Sequence, residues 1–323
     1  MVRFVGRRLL GAVPLLLGVL TLVFLLVDAL PGRPFQSLRE PGTDPGAAES
    51  LARIFGTGRP LAERYVEWLG DLAHGDLGLS LSARRPVAEL LLEAVRNTLA
   101  LAGLSLLLQF ALGIGAGGLA ARWRGSRLDN AITLGASVLC AAPSYWVGIV
   151  LAWLLSVRLG WLPASQMHSL DAPSLSPLAG LVDTARHLIL PVLSLTLPAA
   201  GEIALYTREQ LAATLGAPFV RAARARGLGD TRVTFGHALR ASLPPLANLL
   251  GLAAPALLGG SAVVEVLFAW PGMGRMAYQA VLARDLPLVL GCTSVAAALV
   301  ILGSLLADLL TAAVDPRVRE HES

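Results

Sequence analysis

Six apolar runs, each about as long as a helix must be to cross a lipid bilayer, constrain this chain more than any other feature. They run from about Leu9 to Leu30, Thr98 to Ala121, Ala131 to Val157, Leu188 to Thr207, Leu246 to Val264 and Leu288 to Thr311. At 1.5 Å rise per residue, the first of these spans roughly 33 Å, which covers the hydrocarbon core. Backbone polar groups in lipid must be satisfied within the segment, so each run is expected to be helical. The predicted fold class is an all-α polytopic membrane protein with six transmembrane helices. A 55% hydrophobic and 15% charged composition agrees with that class and is too apolar for an ordinary soluble domain.

Charge placement orients the helices. All 26 basic residues are Arg. The short segments holding Arg3, Arg7 and Arg8, then Arg122, Arg124 and Arg127, then the six from Arg208 to Arg240, then Arg317 and Arg319, make fourteen on one side. The short loops opposite hold four, Arg158, Arg186, Arg275 and Arg284. Positive-inside reasoning places both termini and the 208–242 segment in the cytoplasm. Residues 31–97, with eight Arg against nine acids, are then extracytoplasmic. Leu61, Tyr65, Leu69 and Leu72 recur at helical spacing there, and Pro86 to Val95 predicts a second amphipathic helix. The first run exceeds the usual signal-peptide h-region and no A-x-A site follows it, so it is expected to remain as the first span. The expected organisation is 1–97, an N-terminal span plus an extracytoplasmic segment; 98–312, a five-helix core carrying cytoplasmic helices at about 219–242; and 313–323, a cytoplasmic tail.

Pro143 lies inside the third run, Pro191 and Pro198 inside the fourth, and Pro244 and Pro245 open the fifth; each removes a backbone donor and favours a bend. Gly113 and Gly117 make a G-x-x-x-G face that permits close helix contact. Glu202 falls near the middle of the fourth run, where an ionised carboxylate costs about 2.5–3.5 kcal/mol on insertion scales. It is a candidate translocation-pathway residue, with pairing to another helix as the alternative. Asn248 is a second pathway candidate, and Gln109 can bond helix to helix.

Several chemistries are excluded or unsupported. Without Lys there is no G-x-x-x-x-G-K-[ST] loop, so the chain cannot bind ATP by that route. No H-E-x-x-H, G-x-S-x-G or C-x-x-C occurs, no paired acid, base and nucleophile stands out for an intramembrane protease, and the chain is expected to be non-catalytic. Cys140 and Cys292 fall in apolar runs and are expected to be buried small hydrophobes. The basic charge is explained by orientation and does not point to nucleic acid.

The polar stretch Phe219 to Pro244, FVRAARARGLGDTRVTFGHALRASLP, then needs a reason. Arg221 to Arg226 is Ala-rich and helix-forming, Gly227 ends it, and Asp230 or Thr231 can cap a second short helix. Charge alone is equally satisfied by a solvated basic loop; the Ala and Gly spacing favours a protruding two-helix knob. Here the chain resembles the inner-membrane permease subunits of binding-protein-dependent ABC importers, in the dipeptide/oligopeptide branch. That family's hallmark is E-A-A, three residues, Gly, nine residues, Ile, any residue, Leu-Pro. Arg221-Ala222-Ala223 takes the E-A-A positions before Gly227, His237 the Ile position, Leu239 the Leu position and Arg240 the Pro position. The departures match the peptide branch, whose V-R-T-A-R-A-K-G-L and R-H-A-L-R-N resemble VRAARARGL and GHALRAS here. The order and spacing of RYVEWLGDLAHGDLGLSLSARRPV, LGWLP, VVEVLFAWPGMGR and DLLTAAVDPRVR extend the resemblance over nearly the whole chain.

The resemblance implies a type I ABC importer permease fold in a bacterial-type inner membrane. It implies a sister permease, two ATPase subunits that use ATP and Mg, an extracytoplasmic substrate-binding protein, and no cofactor in this chain. Arg221, Ala222, Ala223, Arg224, Ala225, Gly227 and Leu228 would form the ATPase-coupling surface, with the alanines, Gly227 and Leu228 as its docking core and the two arginines at its rim. The 31–97 segment and the 266–287 loop would face the binding protein. Di- or oligopeptides are the expected cargo. The competing readings are a proton-coupled secondary transporter using Glu202, or the same assembly carrying nickel chelates or oligosaccharides.

Overall fold

The computed structural model describes residues 2–29 and 59–314; the side chains of 2–10, 27, 28, 247, 248, 252, 254–260 and 306–314 fall outside that description, as do residues 1, 30–58 and the tail from 315. Among the described residues the chain is helical, with one isolated antiparallel bridge, Leu79 to Pro86, and no strand. The helices are α1 (Val2–Ala29), α2 (Leu61–Ala73), α3 (Val87–Arg122), α4 (Arg127–Ala141), α5 (Ser144–Leu151, continued by π-type turns over Ala152–Arg158), α6 (Pro177–Leu215), α7 (Pro218–Ala225), α8 (π-type turns over Arg232–Ala238 continued by Leu239–Ala241), α9 (Leu243–Leu267), α10 (Met273–Leu282) and α11 (Leu286–Val314). By length and composition α3, α6 and the 286–305 part of α11 can each cross a membrane, and the bent α4–α5 pair is apolar enough to form a fourth, broken span or a re-entrant loop.

Two of these elements differ from the sequence expectation. The amphipathic Pro86–Val95 stretch is not a separate helix: no Gly or Pro interrupts Glu93 to Leu101, so it runs straight into the second span as the 36-residue α3, with residues 97 and 98 inside it. The third run, by contrast, is two helices meeting at 106°. Pro143 lacks an N–H and pushes Ala142 out of the helical region to ψ 129°, so the chain turns a corner there rather than bending. Pro191 and Pro198 leave α6 a single 39-residue helix, held along its length by α3 and α4. Pro244 and Pro245 lie in the first turn of α9, where a missing N–H costs nothing.

Helix α6 is the axis of the molecule. Gly113 and Gly117 bring α3 against it so closely that a Cβ on Gly113 would lie 2.6 Å from Ile203 Cβ, and one on Gly117 would overlap the Ala204 carbonyl. On another face, Gly201 of α6 meets the Ala136 carbonyl of α4. Cys140 is exposed rather than buried, whereas Cys292 is buried as expected. Three apolar layers stack along this axis. Val87, Leu90, Leu91 and Ala94 of α3 pack with Met273, Ala280, Leu288 and Cys292 at one end. Leu101, Leu190, Val192, Leu195, Val264, Phe268 and Trp270 form the next layer. Ala121, Leu211, Val220, Ala223, Val233 and Ala238 close the opposite, knob end.

The end opposite the knob is tied by polar contacts over long sequence separations. Helix α2 leans on α1, with Tyr65 and Trp68 rings 5.3 and 5.4 Å from Phe24 and the Tyr65 hydroxyl 2.5 Å from Thr21 Oγ1. Asp285 accepts from Leu288 N–H at 3.2 Å, capping α11, while Ser80 Oγ, Ser82 N–H and Ser82 Oγ donate to its other oxygen at 2.6, 2.9 and 2.7 Å. Burial works to raise the Asp285 pKa, but these donors outweigh it and hold the carboxyl below its ordinary value.

Candidate coupling surface

The knob is built where α6 stops. Gly216 and Ala217 turn the chain, bonding back to Ala213 and Thr214 carbonyls, and Pro218 presets the first turn of α7. Nine residues after Pro218, Gly227, at φ +79°, takes the left-handed conformation that closes the helix. Its N–H reaches the Arg224 carbonyl at 2.9 Å and the Leu228 N–H reaches Ala223 at 3.4 Å, the paired bonds of a Schellman motif. At the start of the next helix Val233 N–H bonds to the Gly229 carbonyl, and neither Asp230 nor Thr231 caps it with its side chain. Their side chains bind elsewhere: Asp230 pairs with Arg224 at 3.1 Å, and Thr231 Oγ1 accepts from Arg122 at 2.7 Å. The π-type turns of α8 place Val233 and Ala238, five residues apart, on one wholly buried face.

This packing sorts the predicted coupling residues into two sets. Ala223, 4% exposed, and the half-buried Leu228 belong to the apolar layer under the knob, so they are not part of its outer face. Arg221, Ala222, Arg224, Ala225 and Gly227 are exposed. The sequence reading missed Phe219, which is 47% exposed and lies one helical step from Ala222 on the same outer face. Its signal was an aromatic side chain inside an otherwise polar stretch.

The knob is fastened to α3 and α6. Arg122 binds it to α3, where Phe235 also lies against Gly118; Thr214 Oγ1, 2.9 Å from Ser242 Oγ, binds it to α6. One turn further in, Arg208 of α6 grips Asp129 of α4 through two bonds, Nε to Oδ1 at 2.5 Å and an Nη to Oδ2 at 2.8 Å. Asp129 is 1% exposed and also accepts from Gly125 N–H and Thr133 Oγ1. This pair was not foreseen: Arg208 counted only as an orienting charge, and its partner stands 79 residues away.

Glu202 projects from an exposed position on α6 between the buried Gly201 and Ile203, and among the described residues it forms no hydrogen bond or ion pair. The side chain of Asn248 lies outside the described set.

Comparison with known proteins adds the following. Residues 113–320 match the family model of the binding-protein-dependent transport system inner membrane component. The oligopeptide transport system permease protein AppB of Bacillus subtilis is 35% identical over 98% of this chain and 99% of its own length. The di/tripeptide transport system permease protein DppB of Pseudomonas aeruginosa is 37% identical over 99% of this chain and 100% of its own. Among solved structures, an inward-facing conformation of the MetNI methionine ABC transporter aligns with a TM-score of 0.52 at 21% identity, covering 70% of this chain and 96% of that one.

Proposed function

The chain belongs to the binding-protein-dependent transport system inner membrane component family, as a multi-pass permease subunit of an ABC importer, and on that premise we propose how it is energised and what it carries. It crosses the membrane six times in a type I arrangement, with α1 and α9 supplying the two crossings beyond α3, α4–α5, α6 and α11. Both termini and the knob are cytoplasmic, which the fourteen-to-four division of Arg in the short segments supports. The outer face of α7, with Phe219, Ala222, Ala225 and Gly227 at its centre and Arg221 and Arg224 around them, docks into an ATPase subunit. One such ATPase serves this chain and a second serves a sister permease, and ATP and Mg are used there.

The observation that carries this reading is the knob's construction: a helix closed by a Schellman turn, apolar and close-packed beneath, with an aromatic residue and small residues facing outward. A solvated loop needs none of these. Force applied at α7 reaches α3 through Arg122 and Phe235, α6 through the 216–217 turn, and α4 through Arg208 and Asp129, so ATPase closure moves these helices together. Glu202, exposed and unpaired among the described residues, faces the translocation pathway, with Asn248 of α9 as the second pathway residue. The cargo is a di- or oligopeptide, in keeping with the relatives' names, delivered by an extracytoplasmic binding protein.

The test is uptake of labelled trialanine by the reconstituted transporter with its binding protein. Uptake that requires ATP inside and ignores an imposed proton gradient is expected. Uptake driven by the proton gradient without ATP refutes the reading in favour of a secondary transporter.

A further inference from the structure

A second carboxylate, at the end of the molecule opposite the knob, has no part in docking and yet organises everything around it. Glu265, near the end of α9, is wholly buried. Among the described residues its hydrogen bonds come from neutral donors: Thr98 Oγ1 at 2.8 Å and Ser261 Oγ at 3.1 Å to one oxygen, Arg275 N–H at 3.0 Å to the other. Burying an ionisable group this way is costly unless each lone pair is used, so the site is built around it.

The 268–275 turn is wrapped on that carboxylate. A Cβ at Gly272 would come within 2.5 Å of Glu265 Oε2, and one at Gly274 within 2.5 Å of Ala262 Cα, so only glycine permits the turn to close over it. The first span-side turn of α3 completes the clasp. Thr98 Oγ1 donates to Glu265 while accepting from Met273 N–H at 2.8 Å; Trp270 Nε1 donates to the Asn97 carbonyl at 3.1 Å; Asn97 Nδ2 donates to the Pro271 carbonyl at 2.9 Å. Four bonds thus join α3 to α9 and to the turn leading into α10 across about 170 residues of sequence, and a fifth ties that turn back to Glu265.

We propose that Glu265 is a positioning residue of the transport cycle: through Thr98 and the 268–275 turn it locks the outer ends of α3 and α9 into one body, so that motion delivered to α3 by the knob opens the pathway at the far end. The proposal rests on the importer reading. Without the carboxylate, α3 and α9 still receive the stroke at their inner ends but their outer ends no longer move as one body, so the fault lies in turnover and not in binding-protein capture.

The experiment uses the co-purified transporter in liposomes with its binding protein and labelled trialanine. Glu265→Gln replaces one acceptor oxygen by an NH2 that faces donors. It is expected to cut the maximal binding-protein-stimulated ATPase and uptake rates about tenfold or more, the scale of losing one hydrogen bond to a charged group, at an unchanged half-saturating binding-protein concentration. Stapling the same contact restores both rates: Asn97→Cys and Pro271→Cys, bridged by a short thiol-reactive linker on a Cys140→Ser, Cys292→Ser background. A merely structural Glu265 would lose rates in proportion to thermal stability, and no staple would rescue them. Thr98→Val, which removes the hydroxyl that bridges Glu265 and Met273, carries the same expectation if the Gln variant does not assemble. Wild-type rates in these variants, loss the staple does not restore, or a shift in half-saturation alone overturns the proposal. Absence of binding-protein-dependent uptake in the wild type instead removes the importer reading.

Discussion

Breaking the Asp129–Arg208 pair should loosen the link between α4 and α6 by a measurable amount. Asp129→Asn keeps the shape but turns one of the two Arg208 contacts, Nε at 2.5 Å or Nη at 2.8 Å, from attraction into donor facing donor, and it weakens the bond from Gly125 N–H. Removing one member of a fully buried pair costs about 3–5 kcal/mol, because the other charge is left unpaired. Asp129 is 1% exposed but the Arg208 side chain is 23% exposed, so water recovers part of the guanidinium's loss and about 2–3 kcal/mol is the expected penalty. Arg208→Gln should cost a similar amount, and the double variant little more than the worse single one, leaving a coupling energy of at least about 1 kcal/mol. The assay is a double-mutant cycle on the purified assembled transporter, unfolded thermally and by titration with a denaturing detergent. Additive single effects, with coupling under about 0.3 kcal/mol, would show that the two side chains do not depend on each other. That result would remove α4 from the set of helices moved by the knob.

Other positions give independent tests. Gly227→Val forces a β-branched residue into φ +79° and should destabilise the knob by about 1–3 kcal/mol, read as protease cleavage near 227 in the inserted permease; unchanged resistance would refute the Schellman closure. Ala223→Leu overpacks the apolar layer beneath the knob and should cost about 1–3 kcal/mol, whereas Ala222→Leu should leave thermal stability unchanged; equal effects would contradict the inward–outward division. Asp285 has a folded pKa below its unfolded value, so its contribution is fully present above the unfolded pKa, near 3.9, and is lost as pH falls through the lower folded value. Asp285→Asn should therefore lower stability at neutral pH and flatten the acid dependence, and an unchanged acid profile of thermal unfolding would count against the Ser80–Ser82 clasp.

Hydropathy made α3, α6 and α11 legible as spans because bilayer thickness fixes helix length whatever the packing. It was poorer at their ends. The Pro86–Val95 stretch changes from amphipathic to wholly apolar near Thr98, but that records where the surroundings change from polar to lipid, and no residue there stops the backbone. Pro143 was visible as a break, yet its 106° size depends on Ala142 being driven extended as well. Within the knob, composition treats Ala222 and Ala223 alike; only the position of α8 beneath α7 turns one outward and buries the other. Asp129 and Glu265 carry no local signal for their contacts with Arg208 and Thr98, which come from helices far away in sequence.

Docking through the outer face of α7 can be tested by paired cysteine crosslinking in the assembled transporter, on a background with Cys140 and Cys292 replaced by Ser. Ala222→Cys, on the exposed face, should crosslink to cysteines in the cleft of the ATPase subunit and change its yield when ATP is added. Ala223→Cys, one residue on but 4% exposed, should not. Crosslinking at 223 as readily as at 222, or at neither across several cleft positions, would contradict the coupling surface described for this chain.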